Sequence, residues 1–140
     1  PWIATIDGFQ HWLYTHPGHE RGERAEAWRT VFERFISPMI DWSDLEDIRH
    51  AWWQPQLHLF NYPFYYIEYG IAQLGALQVW ANHRRDPQKS LRDLQAALAL
   101  GGSQPLPKLF DAAGIRFDFS RQTVEPMIAI VREELERLPR

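Results

Sequence analysis

The run HLFNYPFYYIEYGIAQLGALQ, from His58 to Gln78, carries four tyrosines, one histidine and two glycines beside a proline. Tyr62, Tyr66, Tyr69 and Gln73 recur at i, i+4, i+7 and i+11. On a helix, that spacing puts all four on one side. Phenols fill a core awkwardly, because each buried O–H needs a partner. They serve better as the wall of a cleft that grips peptide carbonyls, and a tyrosine or histidine there can donate to a developing oxyanion. An ordinary core helix packed through Phe64, Ile67, Ile71 and Leu74 is the plain alternative, and the residues alone leave both readings open. The run contains no nucleophile, so it can furnish only the stabilising half of a catalytic site.

Other candidate chemistry is thinner. His11 and His16 are five residues apart and share no helical face. His19-Glu20 is followed by Glu23 where an HExxH zinc helix needs its second histidine, so that motif is absent. These histidines read as loop and surface residues. Ser37, Ser43, Ser90, Ser103 and Ser120 lie in no nucleophile-elbow pattern. Ser43 and Ser120 read instead as helix caps. Most acidic residues belong to mixed-charge helical faces such as Arg132–Arg137, which read as solvated surface. Glu68, flanked by tyrosines, is expected to be buried and paired, with structural pairing favoured over catalysis.

The elements that must position these groups are helical, and no alternating strand pattern is present. Ile3, Ile6, Phe9, Gln10 and Leu13 mark a first helix that stops before His16-Pro17-Gly18. A second starts near Glu20, with Ala27, Val31 and Phe35 as its apolar side, Trp28 and Phe32 beside them, and Ser37-Pro38 as its stop. Ser43 and Glu46 have capping-box spacing for a third, which Pro55 should kink or break. Pro63 suits the first turn of a fourth that runs to about His83 and carries the tyrosine stripe. Gly70 and Gly75 each cost this helix about 1 kcal/mol relative to Ala, which points to close approach of another group. Asp86-Pro87 caps a fifth helix ending at Gly101-Gly102. Pro105 and Pro107 open a short one closed by Gly114, and Ser120 caps a last one with Pro126 in its early turns.

The bulk properties are those of one modest all-α domain over residues 1–140, with 45% hydrophobic and 14% aromatic residues. A net charge of −3 offers no basic face, so nucleic acid is a poor partner. The absence of cysteine excludes disulfides, thiolate zinc and a cysteine nucleophile, and suits a reducing cytoplasm. Charge and Gln interrupt the apolar stretches before a membrane-spanning length, so no membrane partner is expected. The chain opens on Pro1 and enters an amphipathic pattern at once, as a piece of a longer protein would.

Three segments carry a resemblance: FQHWLYTHP at Phe9–Pro17, PFYYIEYGIAQLGALQVW at Pro63–Trp80 and ALALGGSQPLPKLFDAAGIRFDFS at Ala97–Ser120. In that order they resemble the C-terminal part of oligoendopeptidase F, in the zinc metallopeptidase family that includes thimet oligopeptidase. The resemblance covers nearly the whole chain. It implies the multi-helix C-terminal part of a zincin-type catalytic domain that cleaves short peptides. It further implies that Tyr66, Tyr69 and His58 stabilise the tetrahedral intermediate, with Tyr65 a competitor for Tyr66. Tyr62, Tyr65 and Gln73 then contact substrate. HExxH and the downstream acidic ligand are missing here. The resemblance therefore places all zinc ligands N-terminal to Pro1, with zinc in the full-length parent, none held by this fragment, and no activity in the fragment alone. The competing expectation is a non-catalytic helical binding or oligomerisation module. The Trp-rich segment His50–Trp53 and the tyrosine face are the surfaces expected to recruit a second copy.

Overall fold

A computed structural model describes residues 1–139. The described residues form eight helices and no strand: α1 (Trp2–Thr15), α2 (Arg21–Phe35), α3 (Glu46–Ala51), α4 (His58–Asn61), α5 (Ile67–Arg85), α6 (Pro87–Leu100), α7 (Leu106–Ala112) and α8 (Arg121–Arg137). The chain is all-α, as its periodicity predicts. It divides into two compact units, Pro1–Gly70 and a second beginning at Ile71.

In the first unit α1 packs against α2. The core consists of Ile6, Phe9, Trp28, Phe32, Trp53 and Leu59. Aromatic rings meet edge-on there: Phe9 lies 5.1 Å from Trp28 and Trp2 lies 6.1 Å from it, both T-shaped. That geometry sets the positive ring edge on the negative face. Trp28 is fully buried, and its indole N–H donates to the Arg49 carbonyl at 2.8 Å, tying α2 to α3. The buried side of α2 is thus Trp28 and Phe32, while Ala27 and Val31 pack partly buried around them. Glu20 and Glu23 form a reciprocal capping box at the start of α2, with the Glu20 N–H donating to the Glu23 carboxylate at 2.8 Å.

Three local expectations are corrected. Ser43 does not cap α3: its N–H donates to Asp41 at 2.9 Å, and Asp44 at φ 64 separates it from the helix, which starts at Glu46. The third helical segment also breaks earlier than Pro55, ending at Ala51. The fourth helix does not begin at Pro63. Its sequence divides into the single turn α4 and, after an irregular passage, α5 at Ile67.

In the second unit side-chain amides hold the connections. Gln78 bonds both backbone groups of Arg116, donating to its carbonyl at 3.0 Å and accepting its N–H at 2.9 Å. Asn82 donates to the Gly114 carbonyl at 2.9 Å, and the Ser90 hydroxyl donates to the Val79 carbonyl at 3.2 Å. Gly75 lies beneath Phe110, where an added Cβ would come within 3.2 Å of the ring. The close approach inferred from its sequence is present. Asp86 caps α6 by accepting the Lys89 N–H at 3.0 Å, and Gly101 at φ 54 ends that helix. Ser120 precedes α8, but its hydroxyl is not the cap. It donates to Asp118, whose carboxylate also accepts the Ser120 N–H and the Thr123 hydroxyl.

Candidate functional site

The site lies in the irregular passage between α4 and α5. Pro63 disfavours a helical conformation in the residue before it, and Tyr62 sits at φ −136, ψ 69. Phe64 then adopts a left-handed φ of 59. No helix continues through such a pair, so α5 starts only at Ile67. Tyr62, Tyr65 and Tyr66 are therefore loop residues. Of the predicted one-sided stripe, only Tyr69 and Gln73 lie on a helix.

The passage nonetheless gathers the tyrosines around His58. The Tyr66 ring lies 4.9 Å from the imidazole and the Tyr69 ring 5.7 Å, both edge-on. Tyr65 stacks on it at 6.2 Å with an interplanar angle of 10°, and Tyr62 lies at 6.1 Å. The Tyr69 hydroxyl is 3.3 Å from His58 Nε2, a hydrogen bond whose direction follows the imidazole tautomer. Tyr66 and Tyr69 also contact each other edge-on at 5.2 Å. Four phenols thus converge on one imidazole.

Their exposure separates packing from presentation. Tyr66 is half-buried against the core, whereas Tyr62 is 60% exposed, Tyr65 51% and Tyr69 46%. Next to them Leu59 and Trp53 are buried and anchor the segment. The cluster can offer phenolic hydroxyls and an imidazole N–H to a carbonyl oxygen, but no general nucleophile.

Gln73, the remaining expected site residue, lies further along α5. It belongs to the second unit and is exposed. Glu68, expected as a buried structural partner rather than a site residue, is exposed in the first turn of α5. One residue outside the expected site bonds the passage from α1. The fully buried Gln10 accepts the Phe64 N–H at 3.0 Å. A polar side chain among Ile6, Phe9 and Leu13 on the apolar face of α1 was its signal.

The histidines of α1 and the following turn serve local structure. His16 stacks on Trp12 at 4.7 Å and its Nδ1 bonds the Trp12 carbonyl at 2.9 Å, while His11 lies 3.6 Å from Asp7. Among the described residues no group of three His, Asp or Glu side chains is arranged to hold a metal ion. No helix among them is long and apolar enough to cross a membrane.

The sequence pattern of peptidase family M3 matches residues 1–128. An X-ray structure bearing the name "putative Oligoendopeptidase F" superposes with a TM-score of 0.89 at 32% identity. The match covers 99% of this chain and 24% of that one, so this chain spans about a quarter of the solved protein's length. No curated protein matches the sequence.

Proposed function

The chain belongs to peptidase family M3, and from that membership we propose that it is the C-terminal part of a zinc-dependent oligoendopeptidase acting on short peptides in the cytoplasm. The observation that carries the reading is the convergence of Tyr62, Tyr65, Tyr66 and Tyr69 on His58, with the Tyr69 hydroxyl 3.3 Å from the imidazole. Zinc supplies Lewis-acid polarisation of a scissile carbonyl in enzymes of this chemistry. Among the described residues no group of three His, Asp or Glu side chains is arranged for a metal ion, and on this reading the zinc ligands belong to the parent's remaining sequence and the isolated chain is expected to be inactive.

This chain's share is binding and charge stabilisation. As water adds to a peptide carbonyl, negative charge develops on the oxygen. The hydroxyls of Tyr66 and Tyr69 donate to it, and His58 orients the Tyr69 hydroxyl or donates beside it. Such donors strengthen as the charge grows, which lowers the barrier more than it tightens ground-state binding. The exposed Tyr62 and Tyr65 contact the flanking peptide, and Gln73 is assigned to substrate contact further along α5.

The test is the coding sequence upstream of Pro1 together with the protein it encodes. The expected result is an HExxH helix, a downstream acidic ligand and hydrolysis of short peptides that stops on removal of zinc. A start codon at this position, with no such sequence before it, would leave a non-catalytic helical module instead.

A further inference from the structure

We propose that Gln10 is a positioning residue for the tyrosine–histidine cluster: its buried carbonyl holds Phe64 in the left-handed conformation that brings Tyr65, Tyr66 and Tyr69 onto His58. The inference rests on reading the cluster as the oxyanion-stabilising half of a peptidase site.

Phe64 is a bulky residue at φ 59, a conformation that persists only where the surroundings over-determine it. Three neighbours on α1 supply that constraint. Gln10 Oε1 accepts the Phe64 N–H at 3.0 Å, and the Phe64 ring lies 5.0 Å from His11 and 5.1 Å from Tyr14. Gln10 is 0% exposed, so its reach is fixed by packing rather than by solvent. At its entry the passage is tied to α4, where the Tyr62 N–H donates to the His58 carbonyl at 3.3 Å. Within the passage the Tyr65 N–H closes a turn onto the Tyr62 carbonyl at 3.2 Å, with Pro63 and Phe64 at its centre, and Gln10 adds the side-chain bond that ties this turn to α1. The residues immediately after Phe64 are Tyr65, stacked on His58, and Tyr66, edge-on to it. Rotating the Phe64 backbone to an ordinary φ would redirect both rings and the start of α5 with Tyr69. A leucine at position 10 matches the shape of Gln10 without the acceptor, whereas a glutamate keeps the acceptor.

The experiment compares Gln10→Leu, Gln10→Glu and Tyr69→Phe in the full-length peptidase. Steady-state kinetics on one short peptide, thermal melting, and nuclear Overhauser contacts between the His58 and Tyr69 rings are recorded for each. Gln10→Leu is expected to lower kcat roughly tenfold to a hundredfold, because small misplacements of catalytic groups have effects of that order. KM should change less than kcat and the ring contacts should weaken, while Gln10→Glu, which keeps an acceptor oxygen at the cost of burying a carboxyl, should retain the ring contacts and more of the rate than Gln10→Leu. Normal turnover by Gln10→Leu beside a slow Tyr69→Phe overturns the positioning role and leaves the peptidase reading intact. Normal turnover by Tyr69→Phe removes the peptidase role of the cluster. The ring contacts in Gln10→Leu still decide the positioning claim in that case, their loss supporting it and their persistence refuting it. If Gln10→Leu does not fold, Gln10→Met replaces it with the same expected losses, since a thioether fills the space but accepts weakly.

Discussion

At the scale of single residues, the phenolic oxygens of the cluster are separable from their rings. Tyr69→Phe deletes one hydroxyl, the one 3.3 Å from His58, and leaves the edge-on packing. In the full-length peptidase kcat should fall about 10²–10³-fold, equivalent to about 2.7–4 kcal/mol, while KM moves much less. Tyr62→Phe, at the most exposed ring of the four, should act chiefly by raising KM. Steady-state kinetics with zinc content and melting held near wild type separates these outcomes, and unchanged turnover in the Tyr69 variant would reduce the cluster to packing. Trp28 is the contrasting case. It is fully buried among Phe9, Trp2 and Phe32 and donates to Arg49. Trp28→Ala should destabilise the first unit by about 3–5 kcal/mol through cavity formation, with the orphaned Arg49 carbonyl adding to it. Urea unfolding followed by circular dichroism measures this.

At the scale of elements, the start of α8 carries a pH-dependent contribution. The Asp118 carboxyl is held down to about 2, first by the Thr123 hydroxyl, then by the Ser120 hydroxyl and N–H. Its folded-state value lies below its ordinary value of 3.8, so the contribution is present above that value and is lost as the pH falls through about 2. Asp118→Ala should flatten the melting temperature over that acidic window and lower it at neutral pH. A wild-type pH profile in the variant would remove Asp118 as the organiser of the α8 start. The turn after α7 makes a second element-scale test. Gly114 has φ 69, and an added Cβ would lie 2.8 Å from an Asp93 carboxylate oxygen. Gly114→Ala should therefore cost about 1–2 kcal/mol in backbone conformation before any displacement of Asp93. Gly75→Ala differs in sign of its parts: helix propensity gains about 1 kcal/mol, while Phe110 must yield a few tenths of an ångström. A net change near zero in chemical denaturation is expected there, well apart from the Gly114 variant.

For the molecule as a whole, the isolated chain should retain no stoichiometric zinc after dialysis at micromolar concentration, since the described residues lack a set of spaced ligands. One zinc per chain by elemental analysis would contradict this and direct attention to His11, His16 and His19. The exposed apolar surface points to self-association. Tyr62, Tyr65 and Tyr69 are exposed on the first unit, as are Trp52, Leu57 and Phe60. The expected Trp-rich patch is halved, however, because Trp53 is 8% exposed and belongs to the core, leaving Trp52 against Trp42. A partner copy would bury these exposed aromatic and aliphatic side chains. Sedimentation at rising concentration should show a dimer or larger species, and a monomer throughout would argue against it.

The sequence by itself determined the helical class, most helix ends and the family. Those signals are local: Asp86-Pro87 starts α6, Gly101 ends it, Gly114 closes α7, and each acts through the φ or the hydrogen bond of a few neighbouring residues. It also singled out His58 and the tyrosines, because their types and proximity in the chain are unusual whatever backbone joins them. Their arrangement was decided by tertiary structure. A period of four and three describes a helix face, yet the chain here turns through Tyr62 and Phe64, and an acceptor 54 residues away in Gln10 holds that turn. The same limit explains Ser43 and Ser120, whose spacing suits a cap but whose groups bond Asp41 and Asp118 instead. Periodicity counts residues along one helix, whereas a left-handed residue is stabilised by whatever packs across from it, and that partner has no fixed distance in sequence.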